Sequence, residues 1–296
     1  MRLKFLLILL IVVFSKANAQ KQKKKQLQRI DSLSLDSLRD YELRLGGLGY
    51  SMVRDFDEEV RITSGRNFIR QFGRALRVKN SYYYPFDSLK NLMVIYSPDE
   101  MFRIFTWNVA TNDETFRYFG VIQMNPEKIA KLNKSQEIFQ SFYPLIDRSD
   151  SIADFLFVSV DQNKWFGASY YKIIKTNFAK KDYYTLLGWD GAGPATNKKV
   201  ADVLYFEEGK PMFGAPIFDL NKKRKYYRMV FEFNNQATIA LRYDEKRKYL
   251  IYENIVPDKP SNTGFVEHYY PDGSFDYLIW KNGIWVKQKG FLEVIQ

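Results

Sequence analysis

An α+β fold is predicted for this chain, with an N-terminal helical region packed on a large antiparallel β meander. Three observations predict it. Apolar residues recur at helical spacing up to about Val78, and the period drops to two after Tyr82-Tyr83-Tyr84-Pro85. Tight-turn pairs then separate one short aromatic run from the next. Barrel, sandwich and open curved sheet all satisfy this pattern.

The elements follow in chain order. Met1–Ala19 has a basic start (Arg2, Lys4), an apolar run from Phe5 to Phe14 and the small-residue site Ala17-Asn18-Ala19. That is the layout of a cleavable secretory signal, and the run is too short to span a bilayer. Lys21–Lys25 follows as a basic run, read as a solvated terminus and, functionally, as a contact for an anionic polymer or lipid headgroup. Leu38, Tyr41, Leu45 and Leu48 share one helical face before Gly46, Gly47 and Gly49 interrupt the pattern. Further apolar stripes run through Met52–Val60 and Phe68–Leu76, with Ser64 as an N-cap.

Strands are expected at Leu92–Tyr96, Phe102–Val109 and Phe116–Met124. Asn125-Pro126 then starts a brief helix. Phe155–Val160, Trp165–Lys175, Tyr183–Gly188, Val200–Phe206, Pro211–Phe218 and Tyr226–Phe233 continue the series, followed by Ala237–Tyr243 and Lys248–Val256. In Tyr226–Phe233, Tyr227, Met229, Phe231 and Phe233 form one face, with Arg228 and Glu232 on the other. Turns at Asp272-Gly273 and Asn282-Gly283 separate Val266–Tyr270, Phe275–Trp280 and Ile284–Lys287. The expected organisation is a signal peptide over 1–19, a helical region over 20–80 and a β-rich domain over 81–296.

Composition narrows the chemistry. Loss of the leader leaves 42 basic and 34 acidic residues, a formal net of +8. A chain of this length buries about 75% of the surface its unfolded form exposes. The chain has no cysteine, so packing must replace disulfides. The same fact removes thiol nucleophiles, Cys-ligated zinc, iron–sulfur clusters and a lipoprotein acceptor. No transmembrane span is expected in the mature chain, and nucleic acid is not an expected partner.

The most distinctive segment is Tyr183–Phe218. Gly188-Trp189-Asp190-Gly191-Ala192-Gly193-Pro194 reads as a loop after a strand. Pro194-Ala195 stands where a phosphate-binding loop needs Lys-Ser/Thr, and Thr196 replaces the third glycine of a dinucleotide fingerprint. No cofactor or metal is expected. Trp189 and Asp190 are the candidate ligand-binding pair, an aromatic platform beside a carboxylate. Their competing reading is a rigid corner. His268, the single histidine, is assigned a structural role in a strand. No catalytic residue is assigned. Asp190, Glu232, Asp244 and Glu253 are the strand carboxylates from which a glycosidase pair would be drawn. Asp147, Asp150 and Asp161 lack the spacing of a calcium loop and read as turn residues and caps.

The segments YYTLLGWDG, VLYF…GKPMFGAPIF, LRYDE and YYPDGSFDY resemble those of a family of exported, uncharacterised bacterial proteins. The likeness covers most of the chain after the leader and is heaviest in its C-terminal half. It implies export and brings no catalytic residue. The leading functional expectation is therefore an exported, periplasmic or extracellular module, soluble or peripherally attached. It would bind a ligand, a glycan or another envelope component without catalysis. The alternative is a carbohydrate-active hydrolase using two carboxylates. A third reading is a scaffold held to partners by the N-terminal helices. N-terminal sequencing of the secreted protein is expected to begin at Gln20, and an intact Met1 on cytosolic protein would refute the leader.

Overall fold

The computed structural model describes residues 26–132, 139–220 and 223–291. The leader Met1–Ala19 and the run Lys21–Lys25 lie outside the described residues. The chain divides into two compact units, Met1–Lys90 and Asn91–Gln296.

In the first unit, α1 (Ser32–Arg54) and α2 (Glu58–Arg77) pack as a helical hairpin. Gly46, Gly47 and Gly49 lie inside α1 and do not interrupt it. A helix-interior glycine costs about 1 kcal/mol relative to alanine. Leu38, Leu45 and Met52, spaced by seven and fully buried, carry the helix through this weak stretch. The chain breaks at Asp55–Asp57, where both helices find caps. Asp57 accepts a hydrogen bond from the Glu59 amide at 2.8 Å. Arg61 donates to the carbonyls of Asp55 and Phe56 at 3.0 and 3.1 Å. Ser64 is therefore not a cap; it is buried within α2.

Tyr82, Tyr83 and Tyr84 are buried after the helices, and the Tyr84 hydroxyl donates to Glu42. Phe86 meets Phe72 and Tyr84 edge-on at 5.3 and 4.9 Å. These rings form the unit's core.

The second unit opens with a sheet of order β1-β2-β3-β4: β1 (Met93–Tyr96), β2 (Phe102–Ala110), β3 (Phe116–Met124) and β4 (Phe142–Ile146). Between β3 and β4, Asn125 caps the short α3 (Pro126–Leu132) by accepting from the Glu127 amide at 3.0 Å. The next sheet holds β5 (Val160–Asp161), β6 (Ser169–Phe178), β7 (Lys181–Asp190), β8 (Thr196–Glu207) and β9 (Lys210–Phe213). After β10 (Phe218–Asp219), β11 (Met229–Asn234) returns to pair with β8. The third sheet has order β10-β15-β14-β13-β12, built from β12 (Leu241–Asp244), β13 (Tyr249–Pro257), β14 (Tyr269–Lys281) and β15 (Ile284–Phe291). Among the described strands pairing is antiparallel except for β10 with β15, and an isolated bridge between Asp147 and Trp165 is also parallel. None of the three sheets closes into a barrel. Among the described residues no helix is long and apolar enough to cross a membrane.

Several expected boundaries move. Phe155–Phe157 is a 3₁₀ turn, and the Phe155 carbonyl serves as an acceptor for Arg228. Asp272-Gly273 does not reverse the chain. It sits inside β14 at a bulge, where β13 and β14 shift register between Glu253 and Ile255. Asn282-Gly283 does form the hairpin turn, with φ of 50° and 81°, which Asn and Gly tolerate best.

The middle sheet is buried on both faces. Along β7, Tyr184 and Leu186 join a core with Phe102, Ile104 and Ile122 of the first sheet. Leu187 joins a second core with Leu250, Leu278 and Trp285 of the third. Burial on both faces explains the near-continuous apolar runs of β7 and β8. Single hydrogen bonds stitch the layers. The Tyr170 amide donates to Thr106 Oγ1 at 3.1 Å, and Trp285 Nε1 donates to Thr185 Oγ1 at 3.0 Å.

β8 pairs with β11 over Thr196–Ala201 and with β9 over Leu204–Glu207, on the same edge. Asp202 stands in the gap. Arg228 was expected on a polar face, yet both it and Asp202 are 0% exposed. Arg228 Nε donates to Asp202 Oδ1 at 3.1 Å, and the Tyr170 hydroxyl donates to Oδ2 at 3.3 Å. Trp165 Nε1 in turn donates to the Tyr170 oxygen at 2.9 Å. Removing one member of a buried pair leaves the other uncompensated, at a cost of about 3–5 kcal/mol. Arg228→Met is therefore expected to destabilise by that amount in urea denaturation, and adding Asp202→Leu should restore at least half. A single-mutant cost below about 1 kcal/mol would contradict this role.

Candidate functional site

Trp189 and Asp190 end β7, so the expected loop shrinks to the five residues 191–195. The strand continues because its register with β8 runs on through Trp189↔Lys199 and Asp190↔Lys198. The two candidate residues do not build one shelf. The half-buried Trp189 ring meets Phe116 edge-on at 5.7 Å. Gly191 lies under both rings, and a Cβ there would come within 2.6 Å of Phe116 and 2.7 Å of Trp189. Only glycine permits that approach.

Asp190 joins a different constellation. Register sets Asp190, Lys198 and Glu232 side by side across β7, β8 and β11. Lys198 Nζ lies 3.6 Å from Asp190 Oδ2 and 4.0 Å from Glu232 Oε2. Thr196 Oγ1 donates to Glu232 Oε1 at 2.7 Å. From the first sheet, the Tyr118 hydroxyl bonds to Asp190 and accepts from the Gly191 amide at 2.7 Å. Burial, opposed by Lys198 and aided by the charge of Asp147, pushes the Asp190 carboxyl up to about 6. Burial likewise raises Asp147, whose Oδ2 accepts from the Tyr118 amide at 3.2 Å.

The other sequence candidates stand apart. Asp244 accepts from the Lys246 and Arg247 amides in a turn, and Glu253 accepts from the Ala240 amide. His268 belongs to a 3₁₀ turn preceding β14, not to a strand, with Nδ1 3.4 Å from Asp258 Oδ2. Asp161 caps a short turn through the Asn163 amide at 2.9 Å. Among the described residues no three His, Asp or Glu side chains are placed to hold a metal ion.

A second location was not anticipated from the sequence. Edge strands of all three sheets, β1, β6 and β12, contribute to one open cleft of about 460 Å³. Tyr96, Tyr171 and Tyr243 supply aromatic wall, while Lys172, Lys175 and Lys248 supply cations. Among the described residues Glu245 is the one carboxylate in the lining. Lys172 Nζ lies 2.5 Å from it and Lys248 Nζ 3.7 Å. The hydrogen bond from Lys172 holds the Glu245 carboxyl below its usual range. Lys175 is clamped between Asp99 and Asp182, each at 2.8 Å. The Tyr171 hydroxyl donates to the Leu241 carbonyl at 2.7 Å and fixes its ring across two sheets.

No family model matches the chain, and no curated protein matches it.

A carboxyl whose affinity for protons rises on folding favours the native state more at low pH. The Asp190 penalty is absent below about pH 4 and complete above about pH 6, with an upper size of about 3 kcal/mol. Asp190→Asn should thus gain stability relative to the parent as pH rises from 4 to 7, measured by denaturation at both values. A pH-independent difference between the two proteins would refute the elevated value.

Proposed function

We propose that the protein is an exported, non-enzymatic binding module whose cleft takes a saccharide unit of an envelope glycan. The cleft lining carries this reading. Tyrosine rings offer apolar faces and hydroxyl groups to a pyranose, and lysines around them supply donors for hydroxyl or acidic substituents. Among the described residues the lining offers no proton donor suited to glycoside cleavage, because its single carboxylate is held ionised by two lysines. The leader read in the sequence supports placement outside the cytosol.

One observation favours a second reading, hydrolysis of a glycosidic bond. Asp190 carries the raised proton affinity of a general acid, and Glu232 lies across Lys198 from it. Asp190 is only 8% exposed, and Tyr118 and Lys198 already occupy its oxygens. A substrate would have to displace these partners, which makes binding in the cleft the stronger reading.

Calorimetric titration with neutral and uronate-containing oligosaccharides tests both. Tyr243→Ala is expected to weaken binding about fivefold, near 1 kcal/mol, while Asp190→Asn leaves affinity unchanged. Absence of binding to every saccharide, with release of reducing ends that Asp190→Asn abolishes, would replace the binding reading with the hydrolytic one.

A further inference from the structure

The outer face of α2 carries Arg66, Arg70, Arg74 and Arg77, all exposed. Spacings of four, four and three residues keep them within one narrow stripe, opposite the buried Phe68, Phe72, Ala75 and Leu76. At 1.5 Å per residue the stripe is about 16 Å long. Arg39 and Arg44 of α1 each pair with an aspartate one turn away, at 3.1 and 2.7 Å. Among the described residues no carboxylate pairs with Arg66, Arg70 or Arg74. The acidic residues of α2, Glu58 and Glu59, sit in its first turn.

Like charges at i, i+4 oppose helix formation. The helix dipole compensates Arg74 and Arg77 in the last turn, and Arg77 also donates to the Gly73 carbonyl at 3.1 Å. Arg66 and Arg70 gain neither benefit. An external anion would complete them.

We propose that this stripe binds a linear acidic polysaccharide lying along α2. A row of guanidinium forks, one per helical turn, suits a chain whose carboxylate or sulfate groups repeat along its length. Between the arginines this face carries Asn67 and Gly73, which offer no large apolar side chain for insertion into lipid. The stripe is separate from the cleft and does not depend on the saccharide reading given there.

The test uses the full chain with heparin and polygalacturonate as probes. R66Q/R70Q/R74Q removes three charges and keeps good helix formers. It is expected to weaken binding at least tenfold and to flatten the salt dependence, with circular dichroism and Tm unchanged. K164Q/K210Q/K281Q removes the same charge from exposed positions elsewhere and should change affinity less than twofold, as should K21Q/K23Q/K24Q/K25Q. Equal losses in the two triple variants would overturn the proposal in favour of net charge alone. Loss confined to the Lys21–Lys25 variant would overturn it in favour of the tail. Arginine-dependent binding to phosphatidylglycerol vesicles without polymer binding would overturn the choice of partner.

Discussion

Twelve residues of β8 serve three neighbouring strands, and the fully buried Asp202–Arg228 pair makes that arrangement possible. β9 and β11 take successive stretches of one edge, and the gap between them would otherwise expose polar backbone in the interior. Asp202 fills it by accepting from Arg228, Tyr170 and its neighbour's amide at Val203. Arg228 also donates to the Phe155 carbonyl, which ties the 3₁₀ turn to the sheet. Its Nη2 is buried without a partner, so the network is not fully satisfied. Desolvating two ions costs several kcal/mol each. We read the pair as a device that selects one branching of β8 over its alternatives, rather than as net stabilisation.

That branching sets the geometry of both candidate sites. Because β11 pairs with the first half of β8, Glu232 arrives beside Lys198, and Lys198 faces Asp190 on β7. Because the middle sheet is covered on both faces, its free polar surface is confined to strand ends and edges. Asp190 sits at such an end, where Tyr118 of the first sheet closes over it. β6 forms such an edge, and its alignment with β1 and β12 creates the cleft. Ion pairs such as Lys172–Glu245 span these edges and discourage pairing with another chain.

Much of the fold was legible in local chemistry. Asn125-Pro126, Asn282-Gly283 and the aromatic runs each fix their own geometry within a few residues, so the helix start, the last hairpin and most strands fall where the pattern predicts. Gly46–Gly49 and Asp272-Gly273 misled for one shared reason. Pairing and packing beyond the local segment outweighed the local preference. Burial of Leu38, Leu45 and Met52 carries the helix through its glycines, and β13 pairs with β14 on both sides of the exposed Asp272-Gly273, which is absorbed as a bulge. At the candidate site, the Asp190–Lys198 facing could be found by folding the hairpin about Pro194. Tyr118, Asp147 and Glu232 could not, because they are 72, 43 and 42 positions away along the chain from Asp190.

Periodicity and turn chemistry act over one or two turns of chain, so the amino-acid sequence alone determined the fold class and the order of a helical region before a β-rich one, and its composition showed no cysteine. The tertiary structure alone decided that Arg228 is interior, that Asp190 holds its proton to about pH 6, and that three sheet edges share one cleft. Each of these depends on desolvation and on contacts between strands distant in sequence. Such contacts exist only after the sheets have stacked, which is why no local pattern encodes them.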